Sequence, residues 1–169
     1  TARKYDERHS KFRNFEAQAA EISQLLNLTK EKTLIDYACG TGGLTVHFAP
    51  SCRKVYAVDI SPAMLQLCRE KVDRLGLDNV SFHEGGYLTY DHHDEPVDAI
   101  ASVTALHHLP DFWKAVALDR IYAMLKPGGR FFLFDVVFDF ASNEYQGKIN
   151  GWLNWMQEKI GTNEAGEAQ

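Results

Sequence analysis

One stretch of the sequence, residues 33–43, constrains the fold more than any other. It reads Thr-Leu-Ile-Asp-Tyr-Ala-Cys-Gly-Thr-Gly-Gly. The apolar first half predicts a buried strand, and the small residues of the second half predict a tight turn that opens a helix. Gly40, Gly42 and Gly43 lack a Cβ, so their backbone can adopt positive φ and lie directly against a ligand. Because helix N-terminal N–H groups face bound anions, we expect a small-molecule site at this first strand–helix turn of an α/β sheet.

Strands and helices alternate along the rest of the chain, which predicts an α/β fold with a doubly wound, mostly parallel sheet in three layers. The 169 residues, 45% of them hydrophobic, suggest one domain with a sizeable core. Within residues 1–169 we expect an N-terminal cover and helix at 1–28, a cofactor-binding core at 30–138 and an amphipathic helix at 141–160.

Composition narrows the classes of partner. The net charge of −5 and the scattered basic residues disfavour extensive nucleic-acid contact. No apolar run is long enough to cross a membrane. The three cysteines form no CxxC pair, so neither a disulfide framework nor a zinc site is indicated, and a cytoplasmic location is the simplest expectation. The run His92-His93-Asp94-Glu95 is interpreted as a solvated loop rather than a metal site, because adjacent side chains point apart.

Two cofactor classes compete for the glycine turn. The spacing Ala38-x-Gly40-x-x-Gly43 fits a loose dinucleotide fingerprint. Asp59 ends a second apolar strand and follows Asp36 by 23 residues. An acid at that distance accepts hydrogen bonds from ribose hydroxyls in α/β cofactor sites, and its two acceptor oxygens suit a vicinal diol.

Further motifs favour one class. The segment Asp36-x-Ala-Cys-Gly-Thr-Gly resembles the acid-x-Gly-x-Gly-x-Gly loop of the class I S-adenosylmethionine-dependent methyltransferases, with Ala38 in place of the first glycine. Alanine costs little there if its φ is negative. Residues 59–65, Asp-Ile-Ser-Pro-Ala-Met-Leu, resemble the second signature of that family, and Leu-Lys-Pro-Gly-Gly before an apolar strand resembles its crossover at 125–138. The resemblance covers about residues 30–138, is closest to the small-molecule group, and implies a Rossmann-like methyltransferase fold.

The resemblance implies S-adenosylmethionine as cofactor, S-adenosylhomocysteine as product and an unidentified, small-molecule acceptor. In that family the loop cradles the methionine part of the cofactor, Asp36 orients its amino group, Asp59 holds the ribose, and Ile60 and Met64 flank the adenine. The cofactor-binding residues so implied are Tyr5, Asp36, Ala38, Cys39, Gly40, Thr41, Gly42, Asp59, Ile60, Met64, Gly86, Tyr87, Ser102 and Thr104.

Two features at the margins of this site extend the family pattern or depart from it. Tyr5 belongs to a Tyr-Asp pair that resembles a cover over the cofactor in related enzymes, although a frayed terminus is an equal alternative. The acid that contacts the adenine amino group in the family is replaced by Gly86. Tyr87 or a backbone group would then have to substitute for that acid.

The catalytic candidates are His107 and His108. They follow the fourth strand in the segment Ala-Leu-His-His-Leu-Pro-Asp, which resembles the segment after strand four in the family. Because the carboxyl ends of strands one and four flank the switch point of the sheet, this segment would face the transferred methyl group. A histidine there is a general-base candidate, because its charge changes near neutral pH. A structural role in linking loop to helix is the alternative.

Two rival functions stay open. Tyr122-x-x-x-Lys126 matches the dyad of short-chain dehydrogenases, so a NAD(P)-dependent oxidoreductase is one. Against it, Lys126 directly precedes the helix-ending Pro127, whereas that dyad sits inside a helix. The other is a non-catalytic S-adenosylmethionine-binding protein, because the acid is missing at Gly86 and the base is unassigned.

The fifth strand raises a question about the sheet. Apolar residues at 131–138 predict a strand buried on both faces. Only nine polar residues follow the helix at 141–160, too few for the two further strands with which the family completes its sheet. We therefore expect those antiparallel strands to be absent, which leaves an apolar edge. Missing residues are the favoured explanation; a truncation, or a partner such as a second copy at this edge, are the others.

Overall fold

The computed structural model describes residues 13–136, 140–141 and 143–160, except for the side chains of residues 156, 157, 159 and 160. Tyr5 therefore lies outside the described residues. Contacts divide the chain into two compact units, Thr1–Val136 and Val137–Gln169. The elements in chain order are α1 (Phe15–Leu25), β1 (Thr33–Tyr37), α2 (Thr45–Phe48), β2 (Lys54–Asp59), α3 (Pro62–Arg74), β3 (Val80–Glu84), β4 (Val97–Val103), α4 (Asp111–Met124), β5 (Leu125–Phe134) and α5 (Tyr145–Ile160), with 3₁₀ turns at Ala49–Ser51 and Leu106–His108.

The five strands form one sheet in the order β3-β2-β1-β4-β5, and every neighbouring pair is parallel. The chain builds outward from β1 to β3 and then returns past β1 to form β4, so the direction of winding reverses between β1 and β4. Ligands of open parallel sheets bind at such a reversal, beyond the carboxyl ends of the strands. The predicted doubly wound α/β architecture is confirmed, and no antiparallel strand is found within the described ranges.

Alternating residues of the central strands supply two faces of core. On one face, Leu34 and Val55 pack with α1, and with Phe48 of α2. On the other, Ile35 and Ile100 pack with buried residues of α4. A smaller cluster joins α3 to β2 through Cys68, Val72 and Ala57. The strands therefore form the middle of three layers, as the near-continuous apolar runs of β1 and β4 predict.

Local signals fix the ends of α3, which carries one wall of the site. Ser61 occupies the N-cap, and its Oγ accepts a hydrogen bond from the backbone N–H of Met64 at 3.4 Å. Pro62 is the first helical residue, where its fixed φ suits the helix. Gly76 follows the last turn at φ +65°, the conformation that favours glycine beyond a helix end.

The segment Leu125–Gly129 corrects one prediction. Residues 126–129 predict a stop signal that ends the helix before a strand beginning at Arg130, but β5 begins at Leu125. Leu125 pairs with Val97 and the next described pair joins Arg130 to Ala99, so the intervening residues leave the ladder as an irregularity. Gly128 there adopts φ +77°. The proline and glycines therefore interrupt the strand rather than precede it.

A second correction concerns the burial of β5. The strand was predicted to be buried on both faces, yet Leu133 is 42% and Phe134 51% exposed. Within the described residues β5 pairs only with β4 and forms the edge of the sheet. Phe131 and Phe132 still pack against the two core faces. The exposure follows from the edge position, and the explanation by missing residues or a partner remains a prediction.

The second unit contains α5. Ile149 and Leu153 are half-buried, whereas Tyr145, Trp152 and Trp155 are exposed. None of the helices in the described ranges is long and apolar enough to span a membrane.

Candidate functional site

A cleft opens at the carboxyl ends of β1, β2 and β4. It consists of two cavities of about 310 and 280 Å³ that share Ala38, Asp59, Ile60, Ala105 and His108 as walls. We call the larger one the loop cavity, because residues of the glycine turn between β1 and α2 line it. The smaller one, the apolar cavity, lies against the segment that follows β3. The cleft is thus at the reversal point of the sheet.

The structure brings most of the predicted site residues together. Gly42 and Ser102 belong to neither cavity wall, His107 lies beside the cleft rather than on its wall, and His108 lines both cavities. The predicted residues that line the loop cavity are Asp36, Ala38, Cys39, Gly40, Thr41, Asp59, Ile60, Met64 and Thr104; those that line the apolar cavity are Ala38, Asp59, Ile60, Gly86 and Tyr87.

Gly42 serves the packing of the turn. It adopts φ +80°, and a Cβ built on it would lie 2.4 Å from Sγ of Cys68 in α3. Only a residue without a side chain lets the turn approach α3 so closely. Gly40 adopts φ +55°, but a Cβ there would meet no atom within 4 Å. The two glycines are therefore required for different reasons, helix packing at Gly42 and backbone conformation at Gly40.

Ala38 adopts φ +58°, so the expectation of a low cost at negative φ was wrong. A left-handed conformation costs a residue with a Cβ about 1–2 kcal/mol. Position 38, where the family motif has glycine, thus has the positive φ that favours glycine although alanine stands there.

Replacement of Ala38 by glycine is therefore expected to stabilise the protein by about 0.5–1 kcal/mol, since the relieved strain exceeds the entropy that glycine adds to the unfolded chain. Ala105 is the matched control: it lines the same two cavities and packs on the same core face, but its φ is −142°. Ala105→Gly should destabilise. Urea unfolding measures both changes, and destabilisation by A38G would contradict the assignment of strain.

Asp36 is the buried acid of the turn, only 3% exposed. Burial raises its pKa to about 6, a hydrogen bond from Thr45 opposes that rise, and the nearby charge of Asp59 adds to it. Thr45 Oγ1 donates to Asp36 Oδ2 at 2.5 Å. Since Asp36 also lines the loop cavity, its carboxylate is available to a cationic group that enters there.

Asp59 connects the two cavities and braces the turn. Its Oδ2 accepts the backbone N–H of Gly40 at 2.8 Å, and its Oδ1 accepts that of Ser61 at 2.9 Å. These bonds fix the carboxylate at the end of β2. Each oxygen of an ionised carboxylate has further acceptor capacity, so both remain able to receive hydroxyl donors of a ligand.

The apolar cavity has a floor of stacked tyrosines. The rings of Tyr37 and Tyr87 stack with centroids 4.7 Å apart. The Tyr87 hydroxyl forms a 2.5 Å hydrogen bond with Oγ of the buried Ser102, which therefore lies behind Tyr87 rather than in the wall. A Cβ at Gly86 would sit 3.5 Å from Cδ1 of Ile60, an ordinary contact. Tyr87 thus presents an aromatic surface to the cavity while its hydroxyl is held by Ser102.

The turn after β4 carries the two histidines. Thr104 adopts φ +55°, which is rare for a β-branched residue, and its N–H donates to the carbonyl of Phe134 at 2.7 Å. His107 Nδ1 lies 2.5 Å from Oδ1 of Asp135, directly after β5. The rings of His107 and His108 have centroids 4.1 Å apart.

Sequence reasoning missed two groups of site residues. The start of α1 covers the loop cavity: Arg13 Nη1 is 3.4 Å from Oγ1 of Thr104, and a Cβ on Gly43 would touch the ring of Phe15 at 2.9 Å. A cover was expected within residues 1–28, but neither Arg13 nor Phe15 was among the predicted site residues. Asp135 did carry a sequence signal, because it is an acid at the carboxyl end of an apolar strand. Asp36 and Asp59 have the same kind of position in β1 and β2.

Residues of the two motifs that were set aside, the run 92–95 and the Tyr122/Lys126 spacing, make other contacts or lie outside the cleft. Asp94 accepts hydrogen bonds from Tyr56 at 2.7 Å and Lys54 at 3.1 Å, and no group of three or more metal-ligating side chains occurs among the described residues. Tyr122 is 79% exposed, and Lys126 Nζ donates to Oδ2 of Asp98 at 2.9 Å from within β5. The tyrosine and lysine of the supposed dehydrogenase dyad therefore lie outside the cleft and in different elements.

Comparison with known proteins agrees with this geometry. A family described as a methyltransferase domain matches residues 34–129, which is more than half of the chain. An uncharacterized methyltransferase of Anoxybacillus flavithermus is 32% identical over 117 residues, which cover 68% of this chain and 53% of that relative. The chain spans about half the length of the curated relatives it matches.

Two solved structures are similar to this one. The first is S-adenosylmethionine-bound CalS10 from Micromonospora echinaspora, an amino pentose methyltransferase, with 26% identity, a TM-score of 0.65, and coverage of 75% of this chain and 53% of its own. The second is the complex of DhpI with S-adenosylhomocysteine, with 28% identity, a TM-score of 0.66, and coverage of 81% of this chain and 64% of the DhpI chain.

Proposed function

The chain belongs to the class I S-adenosylmethionine-dependent methyltransferases, and from this membership we propose that it transfers a methyl group from S-adenosylmethionine to a small-molecule acceptor. S-adenosylhomocysteine is then the product. The observation that carries the proposal is the position of Asp59, a fixed carboxylate between the glycine turn and the apolar cavity.

The residues present fit that cofactor. Asp36 offers a buried carboxylate to an ammonium group in the loop cavity. Asp59 offers acceptor oxygens to a vicinal diol, and the apolar cavity beside Ile60 and Tyr87 suits a flat base. The cofactor supplies an electrophilic methyl group on a sulfonium, which is a good leaving group, so the chain has to align the partners and exclude water.

The proposal of a small acceptor draws on a structural relative and on the lining of the loop cavity. The support comes from CalS10, which is described as an amino pentose methyltransferase. Arg13 and Phe15, at the start of α1, also line the loop cavity. An oxidoreductase is disfavoured, since Tyr122 and Lys126 do not form the catalytic dyad that their spacing suggested. Tyr122 lies in α4 and Lys126 in β5, and neither lines the cleft.

Replacement of Asp59 by alanine should weaken S-adenosylhomocysteine binding by about 1.5–3 kcal/mol, or roughly 10- to 150-fold, because hydrogen bonds to a charged acceptor are lost. Isothermal titration calorimetry measures the affinity, and thermal unfolding checks that the variant is folded. Unchanged affinity in a folded D59A protein would contradict the role of Asp59.

Asp59 also holds Gly40 and Ser61, so the direct contact must be separated from the support of the turn. A cycle that combines D59A with the 2′,3′-dideoxy analogue of S-adenosylhomocysteine makes that separation. The analogue should bind more weakly than the parent to the wild type but about equally to D59A. Equal losses in both proteins would show that Asp59 acts only through the turn.

A further inference from the structure

Asp135 and His107 form a pair at the carboxyl edge of the sheet. Asp135 directly follows β5, and His107 lies in the 3₁₀ turn after β4, so the pairing of these two strands brings them together. Asp135 Oδ1 is 2.5 Å from His107 Nδ1, and its Oδ2 accepts the backbone N–H of His107 at 2.9 Å. Oδ1 also accepts the N–H of Val136 at 2.8 Å. One carboxylate therefore holds both the ring and the backbone of His107.

This arrangement selects one form of the imidazole. A carboxylate only accepts hydrogen bonds, so His107 Nδ1 must carry the proton that it shares with Asp135. In the neutral ring Nε2 then has the lone pair. Burial of Asp135 would raise its pKa, but hydrogen bonds from His107 and Val136 outweigh that effect and hold the pKa below its usual value. Asp135 thus stays ionised at neutral pH.

The pair is not needed to attach the turn to β5. Val103 already pairs with Phe134, and the N–H of Thr104 donates to the carbonyl of Phe134. The Asp135 side chain is only 8% exposed, and burying a charge costs free energy unless it has partners. A contact that only fastened the turn would not require a buried charge that also orients a ring.

The His107 ring is accessible and borders the cleft. Its side chain is 33% exposed. It packs on the ring of His108 at 4.1 Å, and His108 lines both cavities. The walls of those cavities belong to the cofactor in the proposed function, so an acceptor would have to approach from outside them. His107 occupies the β4–β5 side of the mouth, and its ring is partly exposed there.

We propose, resting on the proposed function, that His107 is the general base of the methyl transfer, that Asp135 is its positioning residue, and that the acceptor is a hydroxyl or an ammonium group. The acceptor O–H or N–H bond breaks, its proton moves to Nε2 of His107, and its electron pair stays on the heteroatom. That pair forms the new bond to the methyl carbon, while the C–S pair remains on sulfur as the cofactor becomes a neutral thioether. An acceptor that is already ionised, such as a thiolate, needs no such base.

The test compares a matched pair of probe acceptors, 4-methoxyphenol and 4-methoxythiophenol, whose thiol is largely ionised at pH 8. Label transfer from methyl-tritiated S-adenosylmethionine is measured for the wild type, D135N, D135E and H107Q. Asp111→Asn is the control: it makes the same chemical change on a 98% exposed carboxylate at the start of α4. Calorimetry with S-adenosylhomocysteine and nitrogen-15 NMR of the histidine rings accompany the kinetics.

We expect D135N and H107Q to lose about 100-fold or more in transfer to the phenol, the usual contribution of a general base. Transfer to the thiol and affinity for S-adenosylhomocysteine should change less than threefold, D111N should match the wild type, and D135E should recover part of the loss. In NMR the neutral His107 ring should carry its proton on Nδ1 in the wild type, and D135N should weaken this preference, because a neutral amide binds the Nδ1 proton less strongly than a carboxylate does.

Two results would overturn the inference while sparing the proposed function: wild-type transfer to the phenol by D135N, or equal losses with both probes, which indicate a structural role. If the wild type binds S-adenosylhomocysteine but labels neither probe nor the small molecules of a yeast extract, the proposed function itself fails and the base fails with it.

Discussion

Asp36→Asn is expected to make the ligand-free protein more stable at pH 7 and at the same time to weaken its binding of S-adenosylhomocysteine. Burial raises the pKa of Asp36 from 3.8 to about 6. Between these values the native state keeps a proton that the unfolded state has lost, so the free energy of unfolding falls as pH rises. Above pH 6 the full cost is present, on the order of 2–3 kcal/mol. Asparagine has no charge to bury and can still accept the Thr45 hydroxyl.

Urea unfolding of the wild type and D36N at pH 7 and pH 4 checks the stability effect. The two proteins should differ at pH 7 and nearly coincide at pH 4, where wild-type Asp36 is mostly protonated in the native state. A difference of the same size at both pH values would contradict the account, because it would not depend on ionisation.

The loss of affinity has a separate cause. An ammonium group that enters the loop cavity would lose its charged partner, which we expect to cost about 1.5–3 kcal/mol. Wild-type affinity should also fall below about pH 6, as Asp36 takes up its proton. Calorimetry across this range measures both effects. A D36N protein with wild-type affinity would remove Asp36 from the binding site. The charge of Asp36 would therefore increase the affinity for the ligand while it lowers the free energy of unfolding of the ligand-free protein.

Gly42→Ala is expected to be the most destabilising change in the turn, by about 2–4 kcal/mol, whereas Gly40→Ala should cost only about 0.5–1 kcal/mol. Both residues have positive φ, +80° and +55°, so the strain of a left-handed alanine applies to both. Only at Gly42 would the added Cβ collide with Cys68, at 2.4 Å from its Sγ. Urea unfolding compares the two, with Gly76→Ala, at φ +65° and in open space, as a control outside the site.

A second substitution tests whether the collision is responsible. Cys68→Ala removes the sulfur, and in that background Gly42→Ala should cost less than it does in the wild type. The recovery should be partial, because Cβ and Cα of Cys68 would still lie 3.1 and 3.2 Å from the new methyl group. Equal costs for G42A and G40A would refute the division of roles between the two glycines.

The sequence predicts β1, β2 and the acids near their carboxyl ends, because these signals are local. Asp36 and Asp59 could each be identified from an apolar run that ends in a carboxylate, and Asp36 also from the glycines that follow it. Ser61 and Pro62 likewise mark the start of α3 by residue type alone. The same physical signal was present at Asp135 but had no meaning until β4 and β5 were paired, since its partner His107 is 28 residues away.

Other features depend on contacts that no local pattern contains. The positive φ of Ala38 is imposed by the turn rather than by alanine, so residue type indicated the wrong cost. Arg13 reaches Thr104 across 91 residues of sequence. The exposure of Leu133 and Phe134 follows from their edge position, which the apolarity of the strand concealed. Periodicity identifies which residues are apolar, but the neighbours that bury them are set by the tertiary fold.

The central claim is that the cleft between the glycine turn and the apolar cavity binds S-adenosylmethionine. Calorimetric titration of the wild-type protein with S-adenosylhomocysteine, and separately with NAD, tests it most directly. We expect saturable binding of S-adenosylhomocysteine at a single site, and no measurable heat with NAD. Saturable binding of NAD together with no binding of S-adenosylhomocysteine by the folded protein would contradict the account.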